Sequence, residues 1–233
     1  GDVTEKSAGT WTIGSITMDS GKTFAVDAAA TGKEIHLKAG TMSNVTFTAK
    51  ANYDYYFDGV DLWTPTMLVG SADRIYHQTA GSVYLSKGLN AGSSTTSVHA
   101  TNDVYYYISG GTLVSVASGY YNIGTGLEAS GDAYVILSNG TYSGSNPHVL
   151  QHSEYGYTLR VRGNAVVEAE DLGLYYYKAA AATARVELAE NGVLAVRGIL
   201  GATGATRPAV TTYACFFSFD GGIVSYYNGW MGG

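Results

Sequence analysis

A strand–turn–strand pattern recurs along this chain and limits its fold more than any other feature. The stretches RIYHQTAGSVYL (74–85), DVYYYISGGTLV (103–114), DAYVILSNGTYS (132–143), GYTLRVRGNAVV (156–167), TARVELAENGVLAV (183–196) and YACFFSFDGGIVS (213–225) all follow it. The last small residues of the six turns are Gly81, Gly111, Gly140, Ala165, Gly192 and Gly222, with successive gaps of 30, 29, 25, 27 and 30. Six residues before these anchors sit Ile75, Tyr105, Tyr134, Leu159, Val186 and Phe216, and two after them Val83, Leu113, Tyr142, Val167, Leu194 and Val224. Period-two alternation of this kind marks strands with one face inside. Glycine at the anchor suits a turn that needs positive φ. The double-glycine turns leave the register open by one residue. Anchoring on Gly221 instead turns Cys215 and Phe217 inward.

Units of this length are too long for one hairpin and fit one coil of a solenoid, built of about three short strands and their turns. The expected fold is therefore all-β, a parallel β-helix (β-solenoid) with coils of roughly 20–30 residues stacked roughly 4.8 Å apart. Residues 1–70 keep the style but not the period. The stretches 13–26 and 35–49 turn at Gly21 and Gly40, only 19 apart, and the aromatic segment from Tyr53 to Asp61 reads as a shorter third coil. Pro65, inside the apolar run 61–70, suggests a loop or edge crossing. Residues 71–233 are the regular coils. With no linker-like break in composition, 1–233 reads as one elongated domain. The chain stops at YYNGWMGG with no polar cap in view, so it is expected either to be a fragment of a longer protein or to have its end covered by a partner copy.

Composition narrows the function classes. Charged residues are 14% of the chain, against roughly 25% in ordinary globular proteins. The net charge is −6 and no basic run occurs, which disfavours nucleic acid as a partner. No apolar stretch reaches the roughly 20 residues of a membrane span. The N-terminus carries no signal-peptide signature, so an exported parent would have lost its signal. The single cysteine, Cys215, excludes an internal disulfide and reads as a small buried apolar residue.

The patterns around Gly81, Gly111, Gly140, Gly192 and Gly222 resemble coils of right-handed parallel β-helices, the pectate-lyase-like solenoids. Within that group they are most similar to bacterial autotransporter passenger domains and surface adhesins. The resemblance covers most of 70–225 and, more loosely, 10–50. It implies right-handed coiling and an extracellular or bacterial cell-surface location.

Chemistry is harder to find. Tyrosine is the outstanding residue type, with 20 copies clustered at 53–56, 105–107, 120–121, 175–177 and 226–227. Tyr105 and Tyr107 must face opposite to Tyr106 on a strand, so each triplet exposes at least one ring. Exposed tyrosines along a solenoid make a strip on which sugars can lie, and Tyr106, Tyr121 and Tyr176 are the candidate ligand contacts. Asp54, Asp58 and Asp61 lie close together but match no calcium loop. His148, His152 and Glu154 lack the helix that zinc ligation at that spacing needs. Glu168, Glu170 and Asp171 offer carboxylates, yet the Asp-Asp, Asn-Thr-Asp and Arg-x-Lys strings of polygalacturonase-like enzymes on this fold are absent. Asn44 and Asn139 head formal glycosylation sequons. No catalytic residue, metal ligand or cofactor is assigned. The expected function is a bacterial cell-surface or secreted β-solenoid, adhesin-like or structural, that binds a polysaccharide or host-surface glycan through exposed tyrosines and self-associates through its ends. The alternative is a polysaccharide lyase or glycosidase on the same scaffold, or a plain spacer.

Overall fold

The computed structural model describes residues 3–5, 11–26, 33–48, 53–64, 67–68, 74–86, 104–116, 126–138, 156–173, 183–200 and 214–226. Within them the chain is a parallel β-solenoid. Three short coils come first. β1 is Val3–Glu5, and the next coil carries β2 (Trp11–Ile13), β3 (Ile16–Met18) and β4 (Thr23–Val26). The second carries β5 (Lys33–Leu37), β6 (Gly40–Ser43) and β7 (Thr46–Thr48), and the third β8 (Tyr53–Thr64) and β9 (Met67–Leu68). The later coils use long bent strands: β10 (Arg74–Leu85), β11 (Val104–Val116), β12 (Gly126–Ser138), the pair β13 (Gly156–Val161) and β14 (Val166–Gly173), β15 (Thr183–Leu200) and β16 (Ala214–Tyr226). Each pairs in parallel with its counterpart one coil on. Every coil thus has two arms meeting at a corner. In the first three coils β1, β4, β7 and β9 form a third side.

Three inward columns build the core. Ile35, Tyr55, Tyr76, Tyr106, Leu127, Leu159 and Val186 are successive partners along the first arm and are buried. Leu37, Phe57, Gln78, Ile108, Ala129, Val161 and Leu188 run beside them. Met42, Leu62, Val83, Leu113, Val135, Val167 and Leu194 line the second arm. Ring packs on ring through the early coils: Phe47 meets Tyr55 at 5.5 Å, Tyr55 meets Tyr76 at 5.6 Å and Tyr76 meets Tyr106 at 5.8 Å. Such pairs add to the hydrophobic stabilisation of each ring. The buried Gln78 is satisfied: its Nε2 donates to the carbonyls of Gly81 and Thr112, and its Oε1 accepts from the Tyr106 hydroxyl at 2.8 Å.

The corner decides which residues face in. Across β13–β14 and β15 the inward residues flanking it are six apart, Val161 to Val167 and Leu188 to Leu194. There the alternation expected from the sequence holds. Across β10 and β11 they are five apart, Gln78 to Val83 and Ile108 to Leu113, with register shifts at or beside the corner. An odd count reverses the parity of the first arm. Tyr76 and Tyr106 are therefore inside, while Ile75 and Tyr105 are outside. In β16, Phe217 takes the inward register opposite Val186, as the Gly221 anchor requires. The third unit also shifts: its corner is at Gly131 (φ 56), inside β12, and Gly140 lies outside the described residues. The coil there advances only 22 residues, from Leu113 to Val135. Asp61–Thr64, expected in a loop or crossing, form the second arm of β8.

Polar side chains tie the corners together. Asn191 donates to Asn164 at 3.3 Å, and Asn164 to Asp132 at 3.1 Å. Asn44, in the left-handed region at φ 49, donates to Ser20 one coil earlier at 3.2 Å.

Candidate functional site

The outward face of the first arms carries a continuous column, one residue before the second inward column. In chain order it reads His36, Tyr56, His77, Tyr107, Glu128, Arg160 and Glu187, each the register partner of the next. Parallel in-register pairing holds like positions about 4.8 Å apart, a distance at which flat rings stack. His36 lies on Tyr56 with centroids at 4.2 Å, Tyr56 on His77 at 4.5 Å and His77 on Tyr107 at 5.4 Å, all within 19° of parallel. Tyr105 stands beside Tyr107 at 6.3 Å. It leans over Gly126, where an added Cβ would meet its ring at 2.9 Å.

Carboxylates flank the first half of this ladder. His36 Nδ1 is 3.0 Å from Asp58 Oδ2, and its Nε2 is 3.3 Å from Glu34 Oε2. Asp58 also accepts from the Thr79 hydroxyl at 2.8 Å, and Asp61 accepts from the Ser82 amide at 3.1 Å. Burial raises the Asp54 carboxyl above its usual range, against the opposing pull of His77. Burial also holds the His77 imidazole below its usual value, opposed by Asp54, Glu34 and Asp58. The Tyr56 phenol is raised by burial and by Glu34. The second half is an ion ladder. Arg160 donates to Glu187 at 2.5 Å and to Glu128 at 2.9 Å, and Arg162 also reaches Glu128. The hydrogen bond from Arg160 pulls Glu187 below the usual carboxylate range.

This geometry alters what the flank can do. Rings stacked on one another expose edges, so a sugar cannot lie flat along the ladder. The run of rings ends at Tyr107, which is 38% exposed. The next position is Glu128, whose carboxylate reaches forward to Arg160 and Arg162. Tyr107 thus offers a ring face bordered by charged donors and acceptors, a combination suited to a hydroxylated ring. On the second arm Trp63, 51% exposed, stacks on Tyr84 at 4.9 Å and forms a separate aromatic patch.

The expected contacts fare unevenly. Tyr106 is not an exposed contact: it is 1% exposed, bonded to Gln78, and burial raises its phenol well above the ordinary value. The five-residue corner turned it inward and put Tyr105 and Tyr107 outside. Tyr121 and Tyr176 lie outside the described residues, as do His148, His152, Glu154 and Asn139, and the side chains of Glu170, Asp171 and Cys215. Glu168 accepts from the Tyr134 hydroxyl at 2.6 Å, which raises that phenol. The histidines of the ladder were missed because the coil steps between them, 20 and 21 residues, depart from the longer period of the later coils and hide their common position. Their signal is that each precedes the last inward residue before a corner. Among the described residues no group of three or more His, Cys, Asp or Glu is placed to hold a metal ion, and no helix is long and apolar enough to cross a membrane. No protein-family model, no curated protein and no solved structure matches the chain.

Proposed function

We propose that this chain is an extracellular or bacterial cell-surface β-solenoid, adhesin-like in the manner of autotransporter passenger domains, that retains a glycan on the outward flank of its first arms. The observation that carries this reading is the end of the ring ladder. Tyr107 presents a ring face, Tyr105 widens it, and Glu128 and Arg160 stand ready for hydroxyl groups. The ligand contacts move accordingly from Tyr106 to Tyr107 and Tyr105.

The test is a glycan-array screen on the purified chain, with affinity and product release measured for each hit. Tyr107→Ala is expected to lose about fivefold in affinity, because packing of a ring on an aromatic face is worth about 1 kcal/mol. Tyr106→Phe keeps the ring inside and leaves affinity unchanged. Equal binding by wild type and Tyr107→Ala would remove the proposal. A second reading, a polysaccharide lyase or glycosidase, is favoured by one observation: Asp54 is raised and His77 lowered on one flank, the directions of an acid–base pair. Turnover of a bound glycan that His77→Gln abolishes would select it.

A further inference from the structure

Among the described residues before β16, two large apolar side chains stand exposed: Tyr107 on a first arm and Trp63 on a second arm. Tyr107 belongs to the ring ladder. Trp63 heads a different outward column, in which Ser43, Trp63, Tyr84, Val114, Ile136 and Glu168 are successive register partners. Tyr84 covers one face of the Trp63 indole, at 4.9 Å and 26°. The partner on the other side is Ser43, whose hydroxymethyl group is too short to cover a second face. Trp63 is accordingly 51% exposed, while Tyr84, Val114 and Ile136 behind it are half-buried.

The open face is held in place before anything binds. β8 is paired here on both sides, with β6 and with β10. The Trp63 carbonyl also accepts from the Val45 amide at 3.1 Å. A ring fixed in this way loses little freedom when it is occupied. Its surroundings are polar. Ser43 and Asn44 are exposed on the coil before, and the Asn44 amide donates to Ser20 at 3.2 Å. Exposed Asp61 lies two residues before Trp63 on the same face of its strand. Exposed Asp19 directly follows Met18, the register partner of Met42. Lys22, the cation of that turn, leads away into the third side, where its carbonyl accepts from the Thr46 amide.

We infer that the open face of Trp63 is a saccharide subsite for a neutral pyranose. The negative face of an indole attracts the weakly positive C–H hydrogens on the flat side of a sugar ring. Hydroxyl and carboxylate groups at the rim then accept and donate to the sugar hydroxyls. The two carboxylates near the ring, on a chain of net charge −6, repel a uronate and select for an uncharged sugar. A purely apolar guest would gain the ring but make no use of the rim. The subsite shares the chemistry of the Tyr107 reading but none of its residues, and it stands if that reading fails.

The chain has three tryptophans, Trp11, Trp63 and Trp230, so a Trp11→Phe, Trp230→Phe protein makes Trp63 its own reporter. Acrylamide quenching of its fluorescence is measured with cellohexaose, xylohexaose, mannohexaose, chitohexaose and, as the acidic probe, hexagalacturonate. At least one neutral oligosaccharide is expected to protect the indole saturably, and hexagalacturonate is not. Calorimetry on the whole chain should then show that Trp63→Ala binds that sugar about fivefold more weakly. Trp63→Tyr, which keeps a flat face, should lose less than threefold, and Tyr107→Ala should leave the protection of Trp63 unchanged. Far-UV circular dichroism checks that each variant is folded, and if the single-tryptophan protein is not, the calorimetric comparison carries the test alone. No protection by any neutral sugar overturns the inference. So does unchanged affinity in Trp63→Ala, which would place the sugar elsewhere, on Tyr107 if Tyr107→Ala abolishes binding. Equal binding of hexagalacturonate overturns the selection for a neutral ring.

Discussion

His77 shows how one side chain couples the flank to solution conditions. It lies between Tyr56 of β8 and Tyr107 of β11, with Tyr105 on the same strand as Tyr107, and with Asp54, Asp58, Glu34 and His36 on the earlier coils. Burial disfavours its proton more than those carboxylates favour it, so the folded value lies below that of the unfolded chain. A depressed imidazole contributes stability that is complete above about pH 6.5 and is lost as pH falls through the folded value. Asp54 acts oppositely: its raised carboxyl favours the fold when it is protonated, at lower pH. The expected outcome is that urea midpoints drop between pH 7.5 and 5.5, and drop less in His77→Phe, which keeps a ring in the stack. Equal drops in both proteins would assign the pH response elsewhere. Tyr106 carries the complementary lesson. Its triplet was legible as two rings against one, but which side faced out depended on a corner several residues away.

At the scale of the strand, the corner is the governing element. Alternation alone marked the arms of β13, β14 and β15, because a six-residue corner preserves parity. It misassigned β10 and β11, because a five-residue corner reverses it, and no residue type in GG or AG announces the count. The same corners set the tolerance for side chains. Gly81 has φ 76, and a Cβ there would sit 2.4 Å from the Val60 carbonyl oxygen of the preceding coil. Gly21 has the same φ with nothing within 4 Å. Gly21→Ala should therefore cost about 1 kcal/mol for the left-handed conformation alone. Gly81→Ala should cost about 3 kcal/mol or more, because the backbone of two coils must also separate. Urea midpoints of the two variants measure the difference, and equal losses would mean that close coil approach does not matter at this corner.

For the whole molecule, the solenoid was legible because its evidence is redundant: strand, turn and strand recur, and no single unit need be read correctly. The site was less so. Its column is defined by pairing across coils that advance by as few as 20 residues, from Leu37 to Phe57, and as many as 32, from Ala129 to Val161. Those unequal steps have a mechanical meaning. Hydrogen bonds between parallel coils run along the stacking axis, so tension applied at the two ends pulls each ladder open like a zipper instead of shearing it. Coils should peel away one at a time, each paying out its own length of thread, roughly 7 nm for the shortest and roughly 11 nm for the longest at the extended reach of the backbone. A single-molecule force trace should show a sawtooth whose teeth are unequally spaced in that range. One large rip would mean instead that the coils yield together, as a single block.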